Sequence, residues 1–137
     1  MADTGNTATL TLATTGFSGS IIELGGSEET RGALEDSHLG TTTRKTFVPD
    51  YLIDSGEITG RYYTDGAVSS HPSLTAVPET ATITYPLKTG QSVSATLAGS
   101  GFFTRKKYAD IKNGELMVGE FIFKWDGRTG PTYTAGS

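Results

Sequence analysis

The sequence predicts a mainly β protein, a two-sheet β-sandwich or barrel with at most one short helix and one long loop. Three observations lead there. Apolar and polar residues alternate with period two along much of the chain, which sends successive side chains to opposite faces of a strand. Glycine is abundant, at 18 residues, and Asp65-Gly66, Asn113-Gly114 and Asp126-Gly127 punctuate the alternating runs as turns. Charged residues make up 19% and hydrophobic residues 35%, both below the globular average, with Thr and Ser filling the gap. That is the profile of sheets with one wet face. The length of 137 residues fits one domain, 1–137.

Each strand follows from its own pattern. In 7–12, Ala8, Leu10 and Leu12 share one face and three threonines the other. Residues 20–24 form a short apolar strand. Residues 57–64 place Ile58, Gly60 and Tyr62 opposite Glu57, Thr59, Arg61 and Tyr63. In 80–87, Ile83, Tyr85 and Leu87 oppose Thr82 and Thr84, and in 92–97 Val93, Ala95 and Leu97 point inward. Lys88-Thr89-Gly90 spaces these two runs like a hairpin. The last strand, 116–125, sets Met117, Phe121, Phe123 and Trp125 against Val118, Glu120, Ile122 and Lys124. Pro78 and Pro86 mark strand ends or edges. Ser27 with Glu28 and Glu29 is the best helix start, but Gly32 limits it to two or three turns. Residues 128–137, rich in Gly and Thr, are expected to fray.

Composition also sets limits on function. A net charge of −4 and a pI near 5.1 argue against a nucleic-acid-binding surface, whose footprint is basic. A surface that DNA must pass without sticking would be neutral or acidic too. With no cysteine, disulfides and thiolate metal sites are excluded. No signal peptide is recognisable at the N-terminus and no apolar run approaches the ~18 residues of a spanning helix, so a soluble cytoplasmic product with no membrane partner is expected.

Motifs for chemistry are thin. Asp36-Ser37-His38 has the residue types of a triad, but adjacent residues do not easily reach that mutual geometry. Lys88-Thr89-Gly90 lacks the S-x-x-K that would give it catalytic meaning, and no P-loop, G-x-G-x-x-G or H-E-x-x-H is present. Glu28, Glu29, Glu35, Asp36, Asp50 and Asp54 lack the ligand spacing of a calcium loop and are interrupted by Arg31, Arg44 and Lys45. The run Arg105-Lys106-Lys107-Tyr108 reads as a salt-bridging loop in an acidic chain. The expectation is no enzyme, no cofactor and no metal.

The most informative stretch is the polar excursion at about 26–55. Loops beyond about 12–15 residues without structure of their own are uncommon and usually functional or disordered. This one carries Leu34, Leu39, Phe47, Val48, Tyr51, Leu52 and Ile53, surface that must be buried against something. Another subunit is the expected cover, with Leu39, Phe47, Val48, Tyr51 and Leu52 as the contact residues.

Several runs taken together resemble a known family. They are Leu-Glu-Asp-Ser-His-Leu-Gly-Thr at 34–41, Phe-Val-Pro-Asp-Tyr-Leu-Ile-Asp-Ser-Gly-Glu-Ile-Thr-Gly at 47–60, Thr-Ala-Thr-Ile-Thr-Tyr-Pro at 80–86 and Gly-Ser-Gly-Phe at 99–102. With the long final strand, they resemble the major tail tube proteins of long-tailed, siphovirus-like bacteriophages. Many members carry a helix after the Gly-Glu-Ile strand; here 71–78 holds two prolines, so the helix is shortened or moved to 27–36.

The resemblance implies hexameric rings stacked into a tail tube that conducts DNA from capsid to host. Partners would be further copies of the chain, the tape measure, tail terminator and distal tail proteins, and duplex DNA passing without specific binding. The protein would be assembled in the bacterial cytoplasm and reside in the virion tail. Four strands per subunit would make 24, about 4.8 Å apart and tilted roughly 45°, giving a diameter on the order of 50 Å and a lumen of about 40 Å. Glu57, Thr59, Arg61, Glu120 and Lys124 would line it, with Glu57 and Glu120 neutralising Arg61 and Lys124 to leave a weakly acidic wall. Two rivals stand: the inner tube of a contractile tail or secretion system or a tail terminator, and a carbohydrate-binding or adhesive β-sandwich.

Overall fold

A computed structural model describes residues 8–13, 20–63, 72–75 and 77–137. The strands are β1 (Thr9–Leu12), β2 (Ser20–Leu24), β3 (Thr30–Glu35), β4 (Phe47–Asp54), β5 (Glu57–Tyr63), β6 (Glu79–Thr84), β7 (Thr96–Lys107), β8 (Val118–Trp125) and β9 (Thr132–Thr134). The main sheet curls into a half-barrel in the order β1-β6-β7-β8-β5-β2, with β9 added to β7, and all its neighbours are antiparallel. The pair β3-β4 is a separate sheet. The fold is all-β, with no helix among the described residues.

Strand β8 shows why the sheet curls. Its side chains alternate between half-buried and buried along its whole length. Phe121, Phe123 and Trp125 enter the barrel with Ile58, Tyr62, Phe103, Leu12, Ala81 and Ile83. Phe103 meets Phe121 and Phe123 edge-on at 5.5 and 5.2 Å, and Phe123 meets Trp125 at 5.3 Å, spacings at which aromatic rings attract beyond their buried area. Small residues make room for large ones across the β5–β8 ladder. Gly60 lies opposite Phe121 and Gly119 opposite Tyr62, and a Cβ at either glycine would overlap the facing ring. Burial raises the pKa of the Tyr62 phenol, and the nearby Tyr108 adds to the shift.

Four local expectations are corrected. Met117 lies before β8 begins and is 40% exposed, so it is no part of the core. Residues 27–36 are not helical: β3 occupies most of them, held by its pairing with β4, and the glycine at 32 disfavours a helix interior. The 80–87 and 92–97 runs do pair as an antiparallel hairpin, β6 with β7, but less of each run joins the ladder than the alternation suggests. The last ladder pair is Thr84↔Thr96, Tyr85 N–H adds one bond to Ala95 O at 2.9 Å, and Pro86, which has no N–H to donate, comes next. Tyr85, Leu87 and Val93 are consequently exposed, although Gln91 N–H still closes a turn on Lys88 O at 2.9 Å. The 128–137 segment is tied down. Its β9 pairs Thr132 with Ala98 and Thr134 with Thr96, and Ser137 exchanges backbone bonds with Val93.

The turn at Asp65-Gly66 lies outside the described residues. At the two others, Gly114 and Gly127 adopt φ of 80° and 76°, the left-handed region that turn glycines supply. Asp126 closes its turn by accepting the Ser100 hydroxyl at 2.6 Å and the Arg128 N–H at 2.9 Å, which together hold its carboxyl below the usual aspartate range.

Two outcomes follow. Trp125→Ala should cost about 3–5 kcal/mol in urea denaturation, whereas Leu52→Asp, on an exposed strand, should stay within about 0.5 kcal/mol. A small loss at Trp125 would place that face outside the core. Because a lowered folded-state pKa gives stability that is present above the unfolded value and lost as pH falls through the folded one, Ser100→Ala should move the Asp126 titration upward and shift acid destabilisation to higher pH. Carbon-13 NMR titration of Asp126 in both proteins reads this directly.

Candidate functional site

The long excursion is a two-stranded arm. Strands β3 and β4 pair only with each other, setting Glu35 opposite Phe47 and Leu34 opposite Val48. The ladder slips between Arg31 and Ala33, where the Arg31 guanidinium donates to Asp50 O at 2.6 Å. The connecting residues 36–46 are held by their own side chains. Asp36 accepts the Thr46 hydroxyl, Ser37 Oγ accepts Thr46 N–H at 2.9 Å, and His38 Nδ1 accepts Gly40 N–H at 3.0 Å. Asp36, Ser37 and His38 therefore serve the arm's own backbone and side chains, not each other as a triad would require.

Among the described residues, the arm lacks cover. An isolated two-stranded hairpin is marginal in water, yet this one leaves Leu39, Phe47, Val48, Tyr51 and Leu52 exposed, Tyr51 at 94% and Leu52 at 79%. Neighbouring positions alternate in direction, so Phe47 and Val48 place apolar surface on opposite faces of the arm. A patch of this kind marks an interaction surface or an aggregation hazard.

The second feature is the outer face of the half-barrel. The structure brings Glu57, Thr59, Arg61, Glu120 and Lys124 together there, with Glu57 opposite Lys124, Thr59 opposite Ile122 and Arg61 opposite Glu120. The ion pairs, however, run to other partners. Arg61 reaches Glu23 at 3.7 Å, Lys124 reaches Asp54 at 3.8 Å, and Glu120 lies between Arg105 at 4.0 Å and Lys107 at 3.9 Å. These long, half-exposed contacts are each worth about 0–1 kcal/mol. The basic run was missed as part of this face because Arg105 and Lys107 read as loop. They lie on β7, where a bulge between Phe103 and Arg105 resets the alternation and turns both outward beside β8. Lys107 also reaches Asp110 at 3.8 Å, so the face carries five carboxylates (Glu23, Asp54, Glu57, Asp110, Glu120) against four cations (Arg61, Arg105, Lys107, Lys124), a margin of one negative charge.

A cavity of about 660 Å³ lies between the β2 edge, the β6–β7 connection and the C-terminal segment, with Ile21, Leu24, Ile83, Tyr85 and Tyr133 in its wall. Among the described residues, no group of three His, Asp or Glu side chains comes close enough to hold a metal ion.

The fold and faces define a curled β half-barrel with a projecting hairpin. No known family matches the chain in sequence, and no curated protein does. In structure it is similar to a chain in the cryo-EM structure of the anti-feeding prophage (AFP) baseplate, 6-fold symmetrised. The TM-score is 0.63 at 10% identity, with 85% of this chain and 81% of that chain covered. At that identity the likeness is one of fold, shared with a component of a prophage baseplate.

The balance of charge on the outer face generates a prediction. Glu57→Lys with Glu120→Lys leaves three carboxylates against six cations, a surface that gains phosphate affinity through counterion release. The double variant should be retained on immobilised duplex DNA at low salt and elute as salt rises, while the parent passes through. Equal behaviour of the two proteins at low salt would show that this face does not govern DNA affinity.

Proposed function

We propose that this chain is a structural subunit of a phage tail or related particle, assembling into six-membered rings that stack as a tube for DNA. The exposed apolar arm carries the reading. A hairpin with large hydrophobes on both faces and no cover from the described residues needs a neighbour, and a repeating assembly supplies one for every copy. The fold shared with a 6-fold symmetrised prophage baseplate supports both the class of particle and the symmetry.

Sheet edges supply further support. The contiguous strands β7-β8-β5-β2 carry the charged outer face, and this group has an open edge at each end among the described residues. At one end β2 has a single partner; at the other, β7 beyond Gly101 pairs only with β8. Joining the β2 edge of one copy to the β7 edge of the next would remove both exposed edges and give the four strands per subunit that a continuous inner barrel needs. The nearly balanced, weakly acidic face would then meet DNA without gripping phosphates.

A second reading has its own observation. The structural neighbour belongs to a baseplate, which favours a ring at a tail's end or the inner tube of a contractile particle over a siphovirus-like tube.

Phe47→Asp combined with Leu52→Asp should abolish assembly without unfolding the subunit, since each large side chain fully buried at an interface contributes about 1.5–3 kcal/mol. Electron microscopy of the concentrated parent is expected to show rings or tubes, and the variant single subunits with an unchanged circular dichroism spectrum. Normal rings or tubes from the variant would contradict the arm's role.

A further inference from the structure

The arm's blade is exposed, but its root is built into the barrel. Ser27, ahead of β3, donates its hydroxyl to the Ser55 carbonyl at 3.3 Å. The same oxygen accepts the indole N–H of Trp125 at 2.8 Å, and Trp125 is only 2% exposed. On the other leg, Asp54 Oδ1 accepts Gly56 N–H at 2.9 Å and lies 3.8 Å from Lys124 Nζ. Backbone bonds flank both legs, from Gly25 N–H to Thr59 O at 2.6 Å and from Trp125 N–H to Gly56 O at 3.3 Å. Lys124 and Trp125 are consecutive on β8 and point to opposite faces of the sheet. One strand therefore grips the arm's root from both sides, through two neighbouring side chains.

We propose that Ser27, Trp125, Asp54 and Lys124 form a clasp that fixes the direction of the arm relative to the barrel, with Ser27 as its positioning residue. Its purpose rests on the assembly reading above: an arm already aimed loses less orientational freedom when it docks. Lys124 accordingly belongs to the arm's root as well as to the charged face. The Ser27 hydroxyl is the joint, since it bridges the buried indole and the Ser55 carbonyl on the arm's returning leg.

The chain has no cysteine, so Thr43→Cys near the arm's tip and Thr80→Cys on β6, both exposed, create a unique pair for spin labels. In dilute, unassembled protein, pulsed electron paramagnetic resonance should give one narrow distance distribution. Ser27→Ala should broaden it and Ser27→Thr restore it, with circular dichroism melts checking that each variant is folded. Asp54→Ala, at an exposed position, makes the same test from the other leg should Ser27→Ala fail to fold. In assembly, Ser27→Ala should raise the concentration for half-maximal ring or tube formation about tenfold, equivalent to about 1.4 kcal/mol, with Ser27→Thr close to the parent. Unbroadened distances in the folded variants overturn the clasp. Broadened distances with unchanged assembly overturn its role in assembly. A parent that forms no rings or tubes overturns the assembly reading, while the distances still decide the clasp.

Discussion

Strand β8 is paired on both sides, and its alternation sends Phe121, Phe123 and Trp125 into the barrel while Glu120, Ile122 and Lys124 stand on the outer face. The core, the charged face and the arm's root all depend on that pleat. A one-residue slip would exchange the two faces, burying Glu120 and Lys124 and exposing three aromatic rings. The register is set by fit as well as by hydrophobicity, because Gly60 and Gly119 leave room for Phe121 and Tyr62 only in this pairing. Trp125 then extends the influence of β8 beyond the barrel through its bond to Ser27.

The molecule divides its apolar surface between two destinations. The half-barrel buries Tyr62, Phe103, Phe121, Phe123 and Trp125 within its own core. The arm buries almost none of its large side chains, so its stability is expected to come from outside the chain. Such a division suits a subunit that folds first and assembles afterwards. Polar side chains, not packing, order residues 36–46, because an uncovered segment still needs its backbone satisfied.

Legibility in the sequence followed the physics of each segment. Strands with one buried and one wet face, β5 and β8, could be read from alternation, and with them the outward positions of Glu57, Thr59, Arg61, Glu120 and Lys124. The arm's hydrophobes were equally visible, but its strands were not. With both faces exposed there is no inside to impose a period, and Gly32 and Pro49 interrupt the local propensity. Much of β7 was hidden for another reason. Gly99 and Gly101 remove side chains from its middle, and the bulge before Arg105 breaks the period where the charges begin. Ion-pair partners such as Glu23 and Asp54 come from other strands and from sheet curvature, which no local pattern encodes.

The central claim is that the arm is uncovered in the single subunit and covered in the assembly. Hydrogen exchange at the backbone amides of Phe47–Asp54, measured in dilute protein and again after assembly, tests it most directly. The account predicts rapid exchange in the subunit and strong protection in the assembly, while β8 amides are protected in both. Equal exchange of the arm amides in the two states would contradict it.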